Sequence, residues 1–128
     1  MKKIWTFVVF LSLMTACQES LEDKCEREAM DYTRRNCPMK MDNNSILDSL
    51  VFERATRTIH YYYTLTGLAD RDSILEKVDA IDVLRNEVKN STALRVYKEN
   101  KFKIAYTYRS EKDPKKIRME VMFTEKDY

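Results

Sequence analysis

His60 is the only histidine in the chain, and histidine is the side chain best suited to act as a general base or metal ligand near neutral pH. A base needs an orienting partner and a nucleophile, and a metal site needs three or four ligands. The stretch 59–65 alternates, so that Ile59 and Tyr61 share one face while His60 faces away from the expected core. We therefore interpret His60 as a surface or cross-strand histidine.

Cys25 and Cys37 are the two cysteines that follow Cys17. Twelve residues of mostly helical chain separate them by up to about 18 Å at 1.5 Å per residue, well beyond the ~7 Å limit for a disulfide. We therefore predict a buried thiol at Cys25 and regard the disulfide as disfavoured. It becomes feasible only if the helix ends early and the chain turns back. No histidine neighbours Cys37, so a reactive thiol is disfavoured there as well.

Acidic residues cluster in the middle of the chain and could suggest a calcium site. They are Asp70, Asp72, Glu76, Asp79 and Asp82. Their spacing lacks the Asp-x-Asp-x-Asn-Gly pattern of a calcium loop, and basic residues lie among them. This pattern is typical of a solvated helix face, so no metal ligands are expected.

Tyrosines are concentrated on predicted strands, at positions 61–63, 106 and 108. The inward-facing tyrosines are most simply core residues, whereas Tyr62 faces outward. An open aromatic face could bind a peptide, a glycan or a partner protein, because tyrosine is enriched at interfaces. The candidate binding residues on this face are His60, Tyr62, Thr64 and Arg109.

Four stretches have the alternation and composition of β-strands. Stretches 46–53 and 59–65 are joined by a short polar connection, and 101–110 and 117–124 by a charged turn, which predicts two antiparallel hairpins. Gly67, the only glycine, is expected to have a positive φ where the second strand ends.

Apolar residues at helical spacing predict two longer helices. The first covers 20–35, with Ser20 as N-cap and a stop at Cys37-Pro38. The second is capped by Asp70 or Asp72 and runs to about Lys89, followed by a short helical turn that ends near Asn100. The predicted fold is α+β: a four-stranded antiparallel sheet with helices on one face, in the order α-β-β-α-(α)-β-β.

The N-terminus has the features of a signal peptide. Lys2 and Lys3 precede an apolar run of about 11 residues, whereas a membrane-spanning helix needs roughly 20. The sequence Met14-Thr15-Ala16-Cys17 resembles a bacterial lipobox, which implies cleavage before Cys17 and its acylation, as with palmitate. We therefore expect a signal peptide at 1–16, a lipidated tether at 17–22 and one domain at 23–128, with Gln18 resembling an outer-membrane sorting signal.

Charge gives no support for nucleic-acid binding. Two of the 23 basic residues lie in the signal peptide, and the rest are equal in number to the 21 acidic residues.

A longer pattern is similar to one in small lipoproteins of the Bacteroides group. It comprises Asn-Cys-Pro-Met at 36–39, Leu-Asp-Ser-Leu at 47–50 and Thr-Ile-His-Tyr-Tyr-Tyr-Thr-Leu at 58–65. The resemblance covers roughly residues 26–67, with a weaker likeness through 101–109. It implies the fold and an envelope location, without an activity.

From these observations we predict a lipid-anchored cell-envelope protein of the outer membrane, facing the periplasm or the surface, that acts as a non-catalytic binding or assembly module without a cofactor. With one glycine and one histidine, we expect no phosphate loop, nucleophile elbow, metal cluster or histidine-containing triad. The alternatives are a small envelope enzyme or enzyme inhibitor that uses a cleft between helix and sheet, and a protein that confers immunity to a toxin.

Overall fold

The computed structural model describes residues 19–71 and 77–128, so the expected signal peptide, Cys17, Asp72 and Glu76 lie outside the described residues. The helices are α1 (Leu21–Asn36), α2 (Lys77–Asn90) and α3 (Arg95–Glu99), with a 3₁₀ helix at Gly67–Ala69. The strands are β1 (Met39–Asp42), β2 (Ser45–Glu53), β3 (Thr58–Leu65), β4 (Lys103–Ser110) and β5 (Ile117–Phe123). No helix in the described ranges is long and apolar enough to cross a membrane.

The strands form one sheet in the order β1-β2-β3-β4-β5. The α+β class and the two antiparallel hairpins, β2 with β3 and β4 with β5, are confirmed. The prediction of four antiparallel strands is wrong in two respects, because β1 adds a fifth strand and β3 pairs with β4 in parallel. A parallel pair needs a long crossover connection, and the segment with α2 and α3 provides it. β1 has only four, largely exposed residues and therefore shows no alternating pattern.

Helix α1 begins and ends where its sequence predicts. The Ser20 hydroxyl accepts a hydrogen bond from the Asp23 N–H at 3.1 Å and so caps the first turn. Cys37 is the C-cap and precedes Pro38, which cannot continue the helix. The helix buries Cys25 and Ala29 against the sheet.

The N-cap of the second helix, predicted at Asp70 or Asp72, stays a prediction because residues 72–76 lie outside the described ranges. Asp70 follows the 3₁₀ helix, and its buried carboxylate accepts hydrogen bonds from the Lys112 N–H and the Arg118 side chain. Two predictions about the ends of elements are confirmed. Asn100 is the C-cap of α3, and Gly67, which follows the end of β3, has a φ of 55°.

All three helices pack on one face of the sheet, here called the inner face. Ile59 of β3 and Ile104 of β4 are fully buried there, together with Leu84 and Val88 of α2. The opposite surface, here called the outer face, carries His60, Tyr62 and Thr64. The buried side chains of the described helices belong to the inner-face cluster, whereas on the outer face His60 and Thr107 are nearly buried and Met122 is exposed.

Candidate functional site

A groove of about 400 Å³ lies on the outer face and crosses β3, β4 and β5. Its floor is Ala105, which lies between His60 on one neighbouring strand and Met122 on the other. Because alanine has only a methyl side chain, the sheet is hollow between these larger residues. Glu53, Thr56, Thr58, Lys103 and Glu120 complete the polar walls.

Four side chains form a continuous hydrogen-bonded chain that runs diagonally across four strands. Glu53 Oε1 of β2 lies 2.7 Å from His60 Nδ1 of β3. His60 Nε2 lies 2.7 Å from Thr107 Oγ1 of β4, and that hydroxyl lies 3.3 Å from Glu120 Oε1 of β5. We call Glu53, His60, Thr107 and Glu120 the polar chain.

The chemistry of these groups restricts where the protons lie. An ionised Glu53 carboxylate can only accept, so His60 Nδ1 must carry the proton that it donates. In a neutral imidazole, Nε2 then accepts the Thr107 O–H. In an imidazolium, Nε2 donates instead, and the Thr107 proton becomes available to Glu120. The state of His60 therefore determines whether Glu120 receives a hydrogen bond from within the protein.

Burial separates the middle of the polar chain from its ends. Thr107 is 1% exposed and His60 8% exposed, whereas Glu120 is exposed and Glu53 is half-buried. Tyr62 stacks on the His60 ring, with 4.0 Å between ring centroids. Burial and the neighbouring Glu53 raise the pKa of the Tyr62 phenol. The histidine is thus held in place, and the two carboxylates face solvent at either side.

The structure brings together two of the four binding residues suggested by sequence. His60 lines the groove and Tyr62 stacks on it, and the cross-strand alternative for His60 is the one observed. Thr64 instead donates to Asp48 Oδ2 at 2.6 Å, and Arg109 lies near the Pro114 carbonyl at 3.5 Å. Neither of these residues lines the groove.

Sequence reasoning missed Glu53, Lys103, Ala105, Thr107 and Glu120. Alternation does place Thr107 and Glu120 on the outward face of their strands. Their proximity to His60 depends on the parallel register, which sets Thr107 beside Tyr62 and Ala105 beside His60. Because the parallel pairing is not visible in the sequence, the sequence does not predict the groove.

The remaining candidate residues do not join this site. Cys25 and Cys37 are free thiols, and burial raises the pKa of both. Asp82 pairs with Arg85 on the exposed side of α2. Within residues 19–71 and 77–128, no cluster of histidine, cysteine, aspartate or glutamate could hold a metal ion.

The groove can offer a ligand several kinds of polar contact. Glu53 and Glu120 present carboxylates, Lys103 presents an ammonium group, and Met122 forms an apolar wall. With a neutral imidazole, the two carboxylates outweigh the single lysine. The arrangement therefore favours a group that carries positive charge.

Comparison with solved structures identifies the same fold elsewhere. A protein of Pseudomonas aeruginosa described as secreted superposes with a TM-score of 0.65 at 11% sequence identity. The alignment covers 86% of this chain and 98% of the other protein. At this identity, the likeness shows a shared fold alone.

Sequence comparison gives the family. No curated protein matches the chain at a significant level. The model of DUF8479, a domain of unknown function, matches residues 20–119, which include every helix in the described ranges and their strands up to the first half of β5. The chain therefore belongs to the DUF8479 family.

Proposed function

We propose that this protein is a lipid-anchored, non-catalytic binding module of the cell envelope, and that it binds its ligand or partner in the groove on the outer face. The observation that carries the proposal is the polar chain, which fixes His60 between two solvent-facing carboxylates beside a hollow with Ala105 as its floor. A buried polar network of this kind is costly unless every member is satisfied, and here it supports the wall of a concave surface.

The groups in the groove favour a ligand that carries an ammonium group. Glu53 and Glu120 can each accept charge-assisted hydrogen bonds, which are stronger than neutral ones. Lys103 also lines the groove and could contact a negative group on the same ligand, as in an amino acid or a peptide. A lysine side chain or an N-terminus of a partner would satisfy this chemistry.

A location outside the cytoplasm is supported by two independent features. The structural relative from Pseudomonas aeruginosa is described as secreted. The short apolar run and the lipobox-like sequence at Cys17 further support a lipid anchor, because two or more acyl chains hold a protein stably on a membrane. Outer-membrane sorting through Gln18 is part of the same proposal.

The anchor is tested by metabolic labelling with a palmitate analogue in cells that make the wild type or Cys17→Ala. We expect label and membrane association only in the wild type. A Cys37→Ala variant is the matched control, since it removes another cysteine and should keep both properties. Label that persists in Cys17→Ala would refute anchoring at this residue.

Binding in the groove is tested by placing a photo-crosslinking residue at position 122 in living cells. Met122 is 52% exposed at the groove wall, and Val96 of α3 is 50% exposed on another surface, so position 96 is the matched control. We expect a discrete adduct from position 122 only.

Two further substitutions link that adduct to the groove. Ala105→Trp should abolish it by filling the hollow, and Glu120→Gln should weaken it by removing one carboxylate without changing side-chain size. Circular dichroism would verify that both variants fold. Equal adducts from positions 122 and 96, or an adduct unaffected by both substitutions, would contradict the proposal.

An enzymatic role has one observation in its favour, the order carboxylate, imidazole and hydroxyl in Glu53, His60 and Thr107, which hydrolases use to activate a nucleophile. The burial of Thr107 argues against it, because a nucleophile must reach its substrate. Glu120 beside the hydroxyl would also repel the oxyanion that forms during acyl transfer. Turnover of an ester or amide that is lost in Thr107→Val would favour the enzyme instead.

A further inference from the structure

Four tyrosines on the inner face form a two-by-two array. The parallel pairing of β3 and β4 sets Tyr61 beside Tyr106 and Tyr63 beside Tyr108. The ring centroids lie 5.1 Å apart in the first pair and 4.8 Å apart in the second, with ring planes within 15° of parallel. Tyr61 and Tyr63 are 6.4 Å apart along β3. All four rings therefore stand side by side on the sheet.

The hydroxyl groups of this array are left without partners in the protein. Neighbouring ring centroids lie 4.8–6.4 Å apart, and no hydrogen bond joins any two of the four hydroxyls. Among the described residues, none of the four has a hydrogen-bond partner.

Tyr106 is the most buried of the four tyrosines. It is 8% exposed, yet its hydroxyl has no partner in the described part of the chain. That part contains no side-chain oxygen that is both fully buried and unsatisfied, so the hydroxyl must reach an accessible space. The hydroxyl is therefore free to bond to water or to a hydroxyl group of a ligand.

Helix α1 packs mainly on β2, α2 contacts β5 and α3 contacts β4. None of these main helix–strand contacts involves β3, which carries Tyr61 and Tyr63. Glu87 acts on the phenols of Tyr63, Tyr106 and Tyr108, and Asp42 acts on that of Tyr108, so the nearby charged groups are acidic. Burial and Glu87 raise the pKa of Tyr63 to about 12, so this phenol keeps its proton at neutral pH.

An apolar pocket of about 250 Å³ adjoins the array at Tyr108. Leu65, Val83, Leu84 and Met119 supply most of its lining, with Ala80 from α2. A molecule that reaches from this pocket along the tyrosine row would meet apolar surface at one end and hydroxyl groups at the other.

We propose that the tyrosine array and the adjoining pocket form a second binding site, which takes a neutral, hydroxyl-bearing molecule with an apolar part, such as a glycoside. A ligand hydroxyl can bond to phenol hydroxyls that have no partner in the described part of the protein. Such a hydroxyl both donates and accepts, as a phenol does. An anion would meet acidic neighbours, and any ion would lose hydration between half-buried rings.

The site is tested with three soluble probes that share an aromatic ring and differ in charge: phenyl β-D-glucoside, phenyl phosphate and benzylamine. Saturation-transfer NMR on the full-length protein, as isolated from cells, reports which probe binds. In a protein whose groove is filled by Ala105→Trp, we expect the glucoside to bind and the two ions to bind at least tenfold more weakly. Phenylalanine keeps the ring and removes the hydroxyl, so Tyr63→Phe/Tyr106→Phe should weaken the glucoside by about tenfold or more.

Tyr62→Phe is the matched control, because it makes the same chemical change on the opposite face and should leave glucoside binding unchanged. Ala105→Trp should also leave it unchanged, so this site can fail or succeed independently of the groove. Lack of glucoside binding would overturn the proposal, as would preference for either ion in the Ala105→Trp protein. Equal binding by a folded Tyr63→Phe/Tyr106→Phe variant would overturn it as well, by showing that the hydroxyls have only water as partners.

Discussion

His60 has a partner at each polar atom of its ring, which accounts for a nearly buried histidine on the solvent side of a sheet. Glu53 and Thr107 satisfy the two nitrogens, and Tyr62 covers one face of the ring. Burying a polar group costs free energy unless its hydrogen bonds are made, and here both are made by neighbouring strands. The groove therefore has a fixed wall rather than a mobile side chain.

Asp70 is a second residue whose environment sets its chemistry. The Ser110 hydroxyl, the Lys112 N–H and the Arg118 guanidinium hold its pKa down at about 2, below the ordinary 3.8. Ionised Asp70 therefore stabilises the fold above pH 3.8, and this contribution is lost as the pH falls through about 2. We expect Asp70→Asn to lower the urea midpoint at neutral pH, and the difference from wild type to shrink towards pH 2. A difference that does not change with pH would contradict this assignment.

The buried tyrosines predict the opposite behaviour in alkali. Burial raises the pKa of both Tyr63 and Tyr97 to about 12, from an ordinary value of 10. A raised pKa stabilises the fold below pH 10, and the contribution is lost as the pH rises through about 12. We expect ultraviolet titration to show late-ionising phenols and stability to fall over this interval. Titration of all tyrosines together near pH 10 in the folded protein would show that these rings are exposed.

At the level of elements, α1 completes the edge of the sheet. Strand β1 pairs with β2 only between Ser45 and Leu47, so the edge of β2 has no neighbouring strand beyond that point. There the Thr33 hydroxyl of α1 accepts a hydrogen bond from the Leu50 N–H at 2.8 Å and donates to the Leu50 carbonyl at 2.9 Å. One side chain thus occupies both backbone groups that would otherwise be open to pairing with another chain.

Thr33→Val should reveal the value of this contact. Valine has nearly the same shape but neither donates nor accepts, so the partly buried backbone of Leu50 loses both partners. We expect a loss of about 1–3 kcal/mol in the free energy of unfolding, measured by urea denaturation. Thr92→Val is the control, since Thr92 is exposed. Equal effects of the two substitutions would show that the Thr33 contact contributes nothing.

On the scale of the whole molecule, helices and sheet share one hydrophobic cluster. It includes Cys25 and Ala29 of α1, Leu84 and Val88 of α2, and Ile59 at the centre of the sheet. Because the same side chains hold every layer, we expect the domain to unfold in a single transition.

Ile59→Ala tests this shared core. Ile59 is fully buried, so the substitution leaves a cavity where helix and sheet meet and should cost about 2–5 kcal/mol. Val51→Ala, on the exposed side of the neighbouring strand, should change stability by no more than about 0.5 kcal/mol. Chemical denaturation followed by circular dichroism and by tyrosine fluorescence would give both values. Transitions that differ between the two probes would contradict a single cooperative core.

Local patterns predicted most of the elements and little of the site. Alternation correctly placed Ile59 and His60 on opposite faces of the sheet, and Ser20 and Pro38 marked the ends of α1. Both kinds of signal depend only on residues that are close in the chain. The alternation also placed Thr64 and Arg109 on the outward face, yet it could not show that they lie away from the groove. The face of a strand on which a side chain lies follows from local alternation. Which side chains on neighbouring strands lie close together depends on the register of the strands.

The sequence by itself determined the α+β class, the two hairpins and the division of each strand into inward and outward residues. It did so because side-chain periodicity and capping act within a few residues. Only the tertiary structure decided that β3 and β4 run parallel, since that depends on the path of the crossover through α2 and α3. This one pairing sets Thr107 and Ala105 beside β3 on the outer face and aligns the four tyrosines on the inner face, and both proposed sites follow from it.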